Sequence, residues 1–70
     1  MILTSFDQKA SALYVKLNKK KITKTLSITD DVFLDVDDSG NMVGLEILFP
    51  KKLAKQIAKT VKHSKSVRML

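Results

Sequence analysis

Cysteine and tryptophan are absent from this sequence of 70 residues, proline occurs once and glycine twice. Without cysteine there is no disulfide and no thiolate metal ligand, which excludes a disulfide scaffold and a zinc ribbon. Long apolar runs are also missing. None exceeds four residues, as in Ile47 to Pro50, far short of the roughly 20 residues of a membrane-spanning helix. The first cation is Lys9 and no continuous apolar core accompanies it, so no signal peptide is expected and the protein is read as cytoplasmic. The length leaves no room for a Rossmann fold or a multidomain enzyme. What is present is enough for one small domain: 44% of the residues are hydrophobic and 29% charged, which argues for packing over disorder. A chain this short buries only about 60% of its unfolded surface, so its core is marginal and a second copy would supply the missing burial.

Charge of one sign is absent from a whole segment. Residues 1–50 hold six lysines against seven acids, whereas residues 51–70 hold six lysines, one arginine and no acid. The net charge of +6 therefore belongs to the last twenty residues. A near-neutral body with a basic appendage is the natural reading, and such an appendage attracts polyanions without choosing among them.

The body reads as strands. Residues 2–6 are β-prone and lead into a short turn that Asp7 opens, its carboxylate placed to accept amides two or three residues ahead. Leu13, Val15 and Leu17 alternate with polar residues. After Asn18-Lys19-Lys20, residues 22–29 put Ile22, Leu26 and Ile28 on one side, interrupted by Lys24, which marks an edge strand. Val32, Leu34 and Val36 alternate, Asp38-Ser39-Gly40-Asn41 turns, and Val43, Leu45, Ile47 and Phe49 alternate again. Matching the apolar sides sets Val36 opposite Val43, Leu34 opposite Leu45 and Val32 opposite Ile47, because a slip of one residue would oppose apolar to polar throughout. Short connections imply an antiparallel meander.

One helix follows. Pro50 suits its first turn. Leu53, Ala54, Ile57, Ala58 and Val61 form one apolar stripe, and Lys51, Lys52, Lys55, Lys59 and Lys62 fill the rest of the circumference. The stripe is expected to pack on the apolar side of the sheet. The fold class is thus α+β: a meander of four or five strands with one C-terminal amphipathic helix on one face. Residues 1–62 form the domain and residues 63–70 a basic tail, read as flexible.

Three segments together carry a resemblance. They are Phe6-Asp7, Ala12-Leu13-Tyr14-Val15-Lys16-Leu17, and Asp35-Val36-Asp37-Asp38-Ser39-Gly40-Asn41-Met42-Val43-Gly44-Leu45-Glu46-Ile47-Leu48. Over roughly residues 4–49 the chain resembles the bacterial, archaeal and phage family known as domain of unknown function 2283. That family's pattern is an aromatic-Asp pair, an Ala-Leu-Tyr-Ile-x-Leu strand and an Asp-x-Asp-x-x-Gly-x-x-Val-Gly-Ile-Glu-Ile-Leu hairpin. Ser11 departs from it, standing where the family has Asp, and the basic helix lies beyond the common core. The resemblance implies a small β-meander with no assigned catalytic residues. Some members sit beside genes for small toxin-like proteins, so it also admits an antitoxin or inhibitor role.

Other constellations are weighed on their own chemistry. Asp35, Asp37, Ser39, Gly40 and Glu46 satisfy the spacing of an EF-hand calcium loop. Both flanks alternate with period two, however, and Pro50 would fall inside the exiting helix. The segment is read as a hairpin turn with solvated acids, with Asp35 and Glu46 diagonal on neighbouring strands and a contact such as Lys16 with Glu46. His63 is the one histidine and has no acid nearby to orient it. No catalytic, metal or cofactor site is expected, and the protein is read as a non-enzyme. Tyr14, Phe33, Met42, Gly44 and Leu48 fall on the strand face opposite Leu13 and Val15 and are the candidate self-association face. The first functional reading is a non-catalytic interaction module that forms a homodimer and binds an unidentified protein partner. The alternative is a nucleic-acid-associated or antitoxin-like protein using Lys51, Lys52, Lys55, Lys59, Lys62, Lys65 and Arg68 on phosphates. The stripe is narrow and holds two alanines, which argues against a membrane partner.

Overall fold

The computed structural model describes residues 3–61 and 67–69. Five strands follow from the alternating segments: β1 (Leu3–Asp7), β2 (Ala12–Lys16), β3 (Lys24–Thr29), β4 (Val32–Val36) and β5 (Met42–Leu48). The turns between them use the chemistry their residues offer. Asp7 Oδ1 accepts the amides of Lys9 and Ala10 at 3.0 and 3.2 Å. Ser11 closes that turn with a φ of 52°, and Gly40 takes a φ of 82° at the tip between β4 and β5, where a residue without Cβ is least strained.

The hairpin register is the one that alternation requires for two of its three expected pairs. Val32 faces Ile47 and Leu34 faces Leu45. At the third, Val36 meets Met42 instead of Val43, because the register shifts between Asp35 and Val36. Val43 is thus the extra residue of a bulge, which local alternation does not reveal.

These five strands are antiparallel neighbours in the order β3-β4-β5-β2-β1, and a sixth, β6 (Val67–Met69), lies beyond β1. This order departs from a simple meander, because β2 pairs with β5, not β3. The link from 17 to 23 makes the difference. Leu17 N donates to Val43 O at 2.8 Å, Asn18 Nδ2 to Met42 O at 2.7 Å, and Thr23 N to Val36 O at 2.9 Å. Pinned to the ends of β5 and β4, the link carries the chain across both and lays β3 at the far edge. Lys24 therefore does lie on an edge strand. Ile22 and Ile28 are exposed, so the apolar side expected of this strand is mostly in solvent; Ile28 falls at the register shift between Ser27 and Thr29.

After Phe49, Pro50 adopts an extended conformation (ψ 136°) and stands just before a 3-10 turn over Lys51–Leu53, which passes into α1 (Ala54–Val61). The proline thus precedes the first helical turn and is not part of it. Drawn from the basic tail, β6 runs parallel to β1. Strand β5, the helix and β6 make a crossover, with β2 and β1 lying between its two strands. Lys62, His63 and Lys65 lie outside the described residues; of the tail 63–70 read as flexible, residues 67–69 form β6.

The core is small. Among the described residues the buried apolar side chains are Phe6, Ala12, Val36, Val43, Ala54 and Ala58. Phe6 is the one large ring, fully enclosed by Ala54 and Ala58 with Leu13, Phe49, Ile57 and Val61 around them. Alanine at 54 and 58 lets the helix come close to that ring. The molecule measures 37 × 27 × 13 Å, the shape of one sheet with a helix over one corner.

Candidate functional site

The register divides the sheet into two unlike surfaces. On one, β2 presents Tyr14, β4 presents Phe33 and Asp35, and β5 presents Gly44, Glu46 and Leu48. Tyr14 Oη donates to Asp35 Oδ2 at 3.0 Å, and Thr25 Oγ1 donates to Asp35 Oδ1 at 2.6 Å. The carboxylate on β4 thereby ties β3 to β2 across the sheet. The Tyr14 ring lies over Gly44, where no side chain intervenes. Gly44 is thus occupied within the chain. Four of the five residues expected to form a self-association face, Tyr14, Phe33, Gly44 and Leu48, share this surface. Met42 does not: the bulge pairs it with Val36, whose side chain belongs to the other side.

The phenol of Tyr14 is pushed up to about 12, first by burial, then by its hydrogen bond to Asp35, then by the negative charges of Asp35 and Glu46. The folded state therefore prefers the neutral phenol. The stability it contributes is present below the ordinary value of 10.0 and is lost as pH rises through the folded value. Tyr14 is the only tyrosine, so phenolate absorbance reports it alone. The expected titration midpoint is near 12, falling toward 10 in Asp35→Asn; a wild-type midpoint at the ordinary value would refute the bond.

The acids with EF-hand spacing do other work. Asp35 pairs with Gly44 and Glu46 with Phe33, so the two carboxylates are diagonal on adjacent strands, as alternation requires. Asp37 turns inward at the hairpin tip. Its Oδ1 accepts the amides of Ser39 at 2.9 Å and Asn41 at 2.8 Å, and its Oδ2 accepts Asn41 Nδ2 at 3.2 Å. The Asn41 amide foremost, opposed by burial and helped by the other donors and Lys20, holds its carboxyl below the ordinary 3.8. That contribution is present above pH 3.8 and is lost as pH falls through the lower folded value. Lys20–Asp37, at 3.9 Å, is the one ion pair among the described residues. The expected contact of Lys16 with Glu46 is not formed: Lys16 lies opposite Gly44, and Tyr14 faces Glu46.

The second surface is apolar. Phe6, Leu13 and Ile47 are in register across β1, β2 and β5, as are Val15, Leu45, Leu34 and Leu26 across β2, β5, β4 and β3. The helix stands over the Phe6 and Leu13 corner. Val15, Val32, Leu34, Leu45 and Ile47 are only half-buried. The cap expected over the whole apolar side thus covers a part of it. Sequence reasoning missed this open area because helix placement depends on the β2–β5 pairing, which no local pattern displays.

Lys51, Lys52, Lys55 and Lys59 are all exposed. Lys51 Nζ donates to the carbonyl of Lys9 at 3.3 Å, which places the first helical lysine against the β1–β2 turn. Lys55, Gln56 and Lys59 line a shallow trough. The backbone of Arg68 lies in β6, on the edge beside β1.

A β-sheet with one C-terminal helix, bearing a tyrosine–aspartate tie on one side and an open apolar area on the other, defines a small α+β domain. The chain belongs to the family described as protein of unknown function (DUF2283), which matches residues 4–49. The match covers β1 to β5 and stops before Pro50, so α1 and its lysines lie outside it. No curated protein and no solved structure matches the chain. Among the described residues no helix is long and apolar enough to cross a membrane.

Proposed function

We propose that this chain is a non-catalytic interaction module of the cytoplasm that pairs with a second copy of itself through the open apolar side of its sheet. The observation that carries this reading is the partial cover given by α1. Val15, Val32, Leu34, Leu45 and Ile47 lie half-buried in adjacent register positions, with no charged side chain between them. The shape points the same way: at 37 × 27 × 13 Å the molecule is a thin slab, and a small single-sheet domain gains most from burying a second face.

A second copy is the occupant best suited to this patch. Two-fold pairing sets one patch on itself, and a patch whose centre is neutral, with Lys24 only at its edge, lets two chains of charge +6 meet. The side bearing Tyr14, Phe33, Gly44 and Leu48 is less suited. Asp35 and Glu46 would be desolvated there, and Gly44 is already covered by Tyr14.

Sedimentation over a concentration series tests the reading. A dimer is expected, tightening as salt screens the repulsion between like-charged chains. Leu34→Lys is expected to give a folded monomer and Phe33→Lys to leave the dimer intact. A strict monomer at high concentration, or dissociation by Phe33→Lys but not Leu34→Lys, overturns the proposal.

A further inference from the structure

We infer that the outer side of α1, continued by the β1–β2 turn, is a docking strip for the sugar–phosphate backbone of nucleic acid, read without regard to base sequence. Four observations converge on it.

First, the helix is divided along its length. Ala54, Ala58 and Val61 face Phe6 and its neighbours. Lys52, Lys55, Gln56 and Lys59 recur at three- and four-residue spacing on the other side, with steps of about 6 Å between lysines four apart. Second, no ion pair neutralises them among the described residues. All seven acids lie in residues 1–50, and the one described ion pair involves Lys20 and Asp37. Third, apart from Lys59, which falls in the last turn of α1 where a cation suits the dipole, these lysines do not serve the helix. Neither the 3-10 turn nor α1 has an acid in its first turn, and Lys51, Lys52 and Lys55 crowd the end where the backbone dipole disfavours cations. Charge placed against local stability is expected where a partner uses it. Fourth, the fold adds a residue that the sequence assigns elsewhere. Lys51 Nζ donates to the Lys9 carbonyl, which brings the turn bearing exposed Lys9, formally part of the neutral body, beside the helix. Asp7 at the base of that turn has its carboxylate engaged by the Lys9 and Ala10 amides.

The chemistry of the strip selects the partner. A row of ammonium groups with no aromatic platform among them suits a uniformly charged chain and offers little to base edges. A membrane surface fits less well, because Ala54, Ala58 and Val61 are packed around Phe6 and leave Leu53 as the one exposed large apolar side chain of this segment, too little to insert.

Fluorescence anisotropy with two short labelled DNA duplexes of unrelated sequence tests the inference. Both are expected to bind equally at low salt, and affinity is expected to fall steeply as salt rises. Lys55→Gln with Lys59→Gln should flatten the log–log salt slope by about 2, at roughly 0.9 for each phosphate no longer neutralised. Lys19→Gln with Lys21→Gln removes the same charge elsewhere and should leave the slope unchanged. Far-UV circular dichroism checks that both variants fold. No binding at low salt, an equal weakening in the two double variants, or binding to phosphatidylserine vesicles but not to duplex overturns the inference. The dimer proposal is judged separately, since added salt strengthens that association and weakens this one.

Discussion

Phe6→Ala is expected to leave the protein unfolded at room temperature. The ring is fully buried and meets Phe49 edge-on, with centroids 6.5 Å apart. Ala54 and Ala58 have no side-chain length with which to follow it into a cavity. Truncating a buried phenylalanine costs about 3–5 kcal/mol, and a single core of this size supplies about the same in total. Val43 is the one other apolar side chain among the described residues to be so fully enclosed, and it is much smaller. Loss of the cooperative thermal transition and collapse of amide shift dispersion are the expected readouts. Phe6→Leu should remain folded with a lower midpoint. An alanine variant whose urea midpoint matched the wild type would show that the helix corner does not hold the sheet.

Gly44→Ala is the second large effect. A methyl there would fall on the Tyr14 hydroxyl and come within 2.6 Å of Cζ. The ring must swing away, which gives up both its packing and its bond to Asp35. Overpacking of this kind costs about 1–3 kcal/mol. The phenol should then titrate closer to its ordinary value, which a general loss of packing elsewhere would not produce. In a Tyr14→Ala background the same substitution should cost little, or even stabilise the strand, because glycine is itself unfavourable there. The resulting coupling energy is expected to be about 1–2 kcal/mol. Simple additivity of the two substitutions would refute the close approach.

How much of this was legible in the sequence depends on the range over which each feature is determined. Period-two alternation is local and strong, so the pairs Val32–Ile47 and Leu34–Leu45 and the turn at Gly40 follow from it. The bulge at Val43 does not, because one extra residue leaves the composition of the strand unchanged. Lys24 marked an edge correctly, since a cation on the apolar side of a strand needs open space. The neighbour of β2 was not legible. It is set by the link from 17 to 23, whose anchoring bonds fall on backbone carbonyls of β4 and β5 and leave no side-chain signature. With that neighbour unknown, the position of Tyr14 over Gly44 was also hidden, and Gly44 read as space for a partner. The helical stripe was plain at 54, 58 and 61, but which part of the sheet it covers was not.

The pairing of β2 with β5 has a kinetic consequence. The two halves of the sheet, β1–β2 and β3–β4–β5, are each made of adjacent chain segments joined by tight turns, and such hairpins form in microseconds. Their union brings together residues far apart in sequence and must close a much larger loop, a cost that falls before any contact across the junction repays it. Tyr14, Gly44 and Asp35 lie on that junction and are expected to form after the local hairpins. Their contribution therefore goes mainly into how slowly the folded protein comes apart, and little into how fast it assembles.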